Sequence, residues 1–129
     1  MDTNKHITKP TVLVVDDNED VLFYFSVLFK TLNLNCICCK DAQQAINEIS
    51  NGTHFDIAFI DIHMPEINGL DLLIVFQELN IKVPLVAQTA YVLSGNKEKY
   101  LKLGFDEYLI KPIEKKGIVA ILTKYNLIN

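Results

Sequence analysis

The chain has 129 residues, half of them hydrophobic, and a formal net charge of −4 spread along its length. That length fits one ordinary domain with one sizeable core. No basic stripe suits a nucleic-acid backbone, so no direct nucleic-acid partner is expected. No apolar run approaches the ~20 residues that span a bilayer, so no membrane segment is expected either. Residues 1–10 are polar and lack the apolar core of a signal peptide. They read as a tail or linker before a single domain over 11–129, in a cytoplasmic protein.

Thr11 to Val15 is a short run rich in β-branched residues, as in a strand buried on both faces. It stops at Asp16-Asp17-Asn18-Glu19-Asp20, where Asn18 can cap the next helix. In that helix Val21, Leu22, Phe25, Leu28, Phe29 and Leu32 fall on one arc. Leu34 to Cys39 is a second strand. Asp41 caps a second helix, which ends near Asn51-Gly52. Phe55 to Ile60 is a third buried strand, and Asp61 to Gly69 is a loop marked by Pro65 and Asn68-Gly69. A helix over Leu70 to Leu79 follows, then a strand over Leu85 to Ala87. A more polar helix lies between Tyr91 and Leu103, a short strand over Glu107 to Ile110, and a last helix over Ile113 to Tyr125.

Strand and helix thus alternate five times. Short connections of this kind imply a parallel sheet covered on both sides, a three-layer α/β sandwich. Right-handed crossovers make the flavodoxin-like strand order 2-1-3-4-5 a common solution. Ligands of such a sheet bind beyond the carboxyl ends of the strands, between strands 1 and 3. Asp16 and Asp17 end strand 1, and Asp61 ends strand 3. Three crowded carboxylates call for a cation, and oxygen ligands with room for water suit Mg²⁺. Strand 4 brings the hydroxyl of Thr89 to the same rim, and strand 5 brings Lys111. A metal cup, an oxygen nucleophile, a hydroxyl and a lysine are the parts of phosphoryl transfer.

Four segments carry a family resemblance: Val14-Val15-Asp16-Asp17-Asn18-Glu19, Asp61 to Gly69, Gln88-Thr89-Ala90 and Lys111-Pro112. In this order, at strand ends, the chain resembles a response-regulator receiver domain of two-component signalling. Tyr91, Glu98-Lys99-Tyr100 and Asp106-Glu107-Tyr108 resemble receivers of hybrid sensor histidine kinases in particular. The resemblance implies that Asp61 takes a phosphoryl group from the phosphohistidine of a histidine kinase or histidine phosphotransfer domain. It implies Mg²⁺ on Asp17, Asp61 and the His63 backbone carbonyl, with Asp16 acting through water. Thr89 and Lys111 would hold the phosphoryl oxygens. Tyr108 would turn inward and change the face of helix 4, strand 5 and helix 5, through which receivers often form homodimers. The Lys111–Pro112 bond would be cis. His63 and Tyr91 would flank the pocket. The domain would be a switch rather than an enzyme, with autophosphorylation and autodephosphorylation of its own.

A phosphatase of the haloacid-dehalogenase type is the alternative, since it also uses an Asp after a strand, a lysine and Mg²⁺. It needs a second Asp two residues after the nucleophile, where this chain has His63. A flavin module on the same topology would need a phosphate-cradling loop, and Asp16 to Asp20 would repel a phosphate. Strand alternation points Cys36 and Cys38 one way and Cys39 the other, so the three do not converge, and core packing is expected for them. Phe23, Tyr24 and Val27 fall off the buried arc of the first helix, beside the crevice. With Pro112 they form a candidate docking patch for the histidine-bearing donor.

Overall fold

The computed structural model describes residues 9–90 and 96–129 of the chain. The elements in order are β1 (Thr11–Val15), α1 (Glu19–Thr31), β2 (Asn35–Cys39), α2 (Ala42–Ser50) and β3 (Ile57–Asp61). They continue with α3 (Gly69–Glu78), β4 (Leu85–Thr89), α4 (Asn96–Leu103), β5 (Glu107–Ile110) and α5 (Lys115–Lys124). The expected helix start at Tyr91 and the expected tail up to residue 8 lie outside the described residues. All pairings are parallel, and the strand order is β2-β1-β3-β4-β5, as expected.

The pattern of buried residues explains the sandwich. Every residue of β3 and β4 is buried, because helices cover both faces of a parallel sheet. Leu13, Val15, Ala58, Ile60 and Ala87 meet α2, α3 and Tyr100 of α4 on one face. Val12, Val14, Ile57, Phe59 and Val86 meet α1 and α5 on the other. There Phe25, Phe29 and Phe59 stack with ring centroids 5.3 to 5.9 Å apart. Phe25, Leu28 and Phe29 of the expected α1 arc are buried, while Val21, Leu22 and Leu32 are half-buried at its edge.

Several boundaries differ from the sequence expectation for local reasons. The third strand starts at Ile57 rather than Phe55, since Asp56 turns its carboxylate to the Thr11 N–H at 2.8 Å. The fourth runs on to Thr89, whose carbonyl accepts the Lys111 N–H at 2.8 Å. Asn18 caps α1 by accepting from the N–H groups of Asp20 (2.9 Å) and Val21 (3.1 Å), which leaves the preceding aspartates to the crevice. Asn68 and Asp71 form a reciprocal capping box, so the helix begins at Gly69, one residue earlier than expected.

Gly69 is set by space rather than by turn geometry. A Cβ there would lie 2.5 Å from the Asp61 carbonyl oxygen and 2.8 Å from the Ile62 Cα. Its N–H donates to the Ile62 carbonyl at 2.9 Å. The start of α3 is therefore clamped against the end of β3. Gly69→Ala is expected to lose about 1–3 kcal/mol of stability, the usual scale of overpacking. Urea unfolding checks this, and an unchanged midpoint would show that the contact yields freely.

Candidate functional site

The site is assembled by backbone pairing. Val15 pairs with Ile60, so the next residue on each strand, Asp16 and Asp61, emerge side by side. The Asp16 N–H donates to the Cys39 carbonyl at 3.0 Å, continuing the β1–β2 ladder by one step. Asp16 is fully buried and Asp61 is 3% exposed, while Asp17 faces solvent. Each of the three carboxylates offers an oxygen, and these oxygens lie within 4.8 Å of one another. The donor set is all oxygen and open on the Asp17 side, which fits a hard divalent cation such as Mg²⁺.

Lys111 enters from the end of β5. Its Nζ lies 2.8 Å from Asp16 Oδ2 and 3.3 Å from Asp61 Oδ2. The pairing with Asp61 is present, but the shorter contact is to Asp16. Burial acts to lower the Lys111 pKa, and bonding and charge from Asp16, then Asp61, outweigh it and leave the pKa raised. Burial pushes the Asp61 carboxyl up to about 6, helped by the charge of Asp16 and opposed by Lys111 and the His63 N–H. That N–H donates to Asp61 Oδ1 at 3.2 Å, and the His63 side chain is exposed. Thr89 is fully buried at the end of β4, beside the same rim. Tyr108 is half-buried, its ring 5.7 Å from that of Tyr100. The Lys111–Pro112 peptide is cis. Tyr91 lies outside the described residues.

The docking candidates are exposed as expected, Phe23 most of all at 70%. Tyr24 and Pro112 line a groove of about 550 Å³ with Asn18, Val21, Lys111 and Ile113. Phe23 and Val27 extend the apolar surface along α1 beyond it.

Two features differ from the sequence reading or escape it. The sulfurs of Cys36 and Cys38 do converge, 3.5 Å apart, because residues two apart on a strand share a face. Cys39 is buried in one core and half-buried Cys36 packs against the other, as expected, whereas Cys38 is exposed, since β2 is an edge strand that α1 covers in part. Gln88, opposite Asp61 in the register, is fully buried, and neither atom of its amide has a hydrogen-bond partner among the described residues. Its only sequence signal is a polar residue inside an apolar strand.

Geometry and topology together define a parallel α/β domain with an acidic cup and one lysine at the switch point of its sheet. The family model for the response regulator receiver domain matches residues 12–123. The chain belongs to that family, and so to two-component signalling. It is 32% identical over 117 residues to the signal transduction histidine-protein kinase BarA of Escherichia coli K12, covering 89% of this chain and 13% of that protein. It is 30% identical over 132 aligned positions to the osmosensing histidine protein kinase SLN1 of Saccharomyces cerevisiae, covering 96% of this chain and 11% of that one. The chain thus spans a small part of these relatives. Among solved structures, the Francisella response regulator 1452 receiver domain matches with a TM-score of 0.84 at 28% identity, over 91% of this chain and 96% of that one. The matches give the haloacid-dehalogenase alternative no support. Among the described residues no helix is long and apolar enough to cross a membrane.

The raised Asp61 pKa sets a sign for stability. Between its ordinary 3.8 and about 6 the native chain holds more protons than the unfolded one, so stability falls as pH rises through that window. The loss is complete above about pH 6, with an upper bound of about 3 kcal/mol. In EDTA, Asp61→Asn is expected to be more stable than the wild type at pH 7 and equal to it below about pH 4. Urea midpoints across pH measure the difference, and a constant gap would assign it to another cause.

Proposed function

We propose that the chain is a phosphoacceptor switch whose acceptor is Asp61. The observation that carries this reading is the buried Asp61 carboxylate at the end of β3, beside Asp16 and 3.3 Å from the Lys111 ammonium. In the reaction an Asp61 oxygen attacks the phosphorus of a phosphohistidine. The new O–P bond forms as the P–N bond breaks, and the imidazole nitrogen keeps the electron pair. Asp17, Asp61 and the His63 backbone carbonyl would hold Mg²⁺, with Asp16 acting through water. When bound, the ion offsets charge on the phosphoryl oxygens.

Lys111 offers the second positive charge. It already neutralises part of the Asp16–Asp61 repulsion, and it stays protonated across the working pH range because its pKa is raised. Thr89 donates its hydroxyl to the attached phosphoryl group. Tyr108, on the strand that leads to Lys111, passes the change to the surface of α4, β5 and α5. The switch loads and discharges its own phosphoryl group, and the donor is a histidine kinase or histidine phosphotransfer domain.

The test is intact mass after incubation with acetyl phosphate and Mg²⁺. One added phosphoryl group is expected, absent in Asp61→Asn and absent with EDTA. Labelling that persists in Asp61→Asn would move the acceptor elsewhere.

The donor docks on the exposed face of α1 and the groove beside it. Phe23, Tyr24 and Val27 are apolar and exposed there, and Tyr24 and Pro112 connect them to the rim of the cup. Phe23→Asp with Val27→Ser is expected to slow transfer from the phosphohistidine protein by about tenfold or more, the scale of a lost interface contact. Labelling by acetyl phosphate should be unchanged. Equal loss with both donors would place the defect in the cup rather than in docking.

A further inference from the structure

Cys36 and Cys38 lie on the α1 side of edge strand β2, away from the acidic cup in chemistry and in ligand type. Their sulfurs are 3.5 Å apart. Cys38 is exposed and Cys36 half-buried, so the pair is open to solvent on one side and backed by protein on the other. The Cys38 sulfur also lies 3.8 Å from the Leu22 carbonyl oxygen of α1, which places the pair in the seam between strand and helix.

We propose that Cys36 and Cys38 form a second metal site, a two-thiolate chelate for one soft, thiophilic cation. Metal–thiolate bonds of about 2.3 Å meeting sulfurs 3.5 Å apart enclose an angle of about 100°, close to tetrahedral. The two thiolates therefore occupy two corners of a tetrahedral ion with little movement. Water or an external donor fills the other corners on the open side. Soft thiolates select Zn²⁺, Cd²⁺ or Cu⁺ over Mg²⁺, so the two sites on this domain do not compete for the same ion.

A disulfide fits the pair less well. Positions two apart on a strand are separated by roughly 6.6 Å. That is near the limit of about 6.8 Å for bridged Cα atoms, so closing the bond would bend β2. Cys39 faces the opposite core, where burial pushes its thiol up to about 12, and it takes no part.

The experiment titrates the fully reduced chain with Cd²⁺ in saturating Mg²⁺ and follows the near-ultraviolet thiolate-to-cadmium absorption. One Cd²⁺ per chain is expected. Cys38→Ser or Cys36→Ala, checked for folding by circular dichroism, should bind about 100-fold more weakly, the scale lost when a chelate becomes a single contact. Cys39→Ala should leave the titration unchanged. No thiolate band in the wild type, or a band of equal affinity in either single variant, would overturn the proposal.

Discussion

Asp16 and Asp61 sit together where almost no water reaches them, and one ammonium group, that of Lys111, stands between them. Two buried like charges at this distance would not both stay ionised without it. With Asp17 added, three carboxylates face one lysine, which leaves two negative charges. A divalent cation is the natural complement of that remainder. The cup is thus left charged by design of its own residues, and the raised Asp61 pKa records the tension.

The rest of the fold holds this unfavourable arrangement in place. Both central strands are buried on both faces, and a one-residue slip would send each side chain into the opposite core, which is packed around a different set. The pairing of Val15 with Ile60 then fixes the next residues side by side. Burial elsewhere in the sheet supplies the free energy that the cup consumes. A function that depends on opposed charges is in this way carried by aromatic and aliphatic packing far from it, such as the stack of Phe25, Phe29 and Phe59.

Most of the architecture was legible in the sequence, because short apolar runs and their polar ends obey strong rules. Asp16, Asp61, Thr89 and Lys111 stand at strand ends, and topology alone brings them together. Asn18 announced its capping role by position. The exposed face of α1 was readable from helical periodicity. What stayed hidden depends on distances that period and pattern do not encode. Alternation placed Cys36 and Cys38 on one face but not how closely their sulfurs approach. It also did not show that edge-strand exposure leaves Cys38 outside the core. Nothing local ranks Asp16 above Asp61 as the nearer partner of Lys111. The unpartnered amide of Gln88 is a property of its neighbours rather than of its own residue type.

The contact at Gly69 has a mechanical consequence. The helix start touches the Asp61 carbonyl and the Ile62 backbone with no side chain between them, and a hydrogen bond closes the joint. Such a joint has no slack, so α3 and the floor beneath Asp61 move as one rigid piece. On the far wall, the Lys111 N–H donates to the Thr89 carbonyl across the ends of β4 and β5. Beyond it, Tyr108 of β5 meets α4 through its ring, 5.7 Å from that of Tyr100, so this edge of the sheet joins its helix through side chains where β3 joins α3 through backbone.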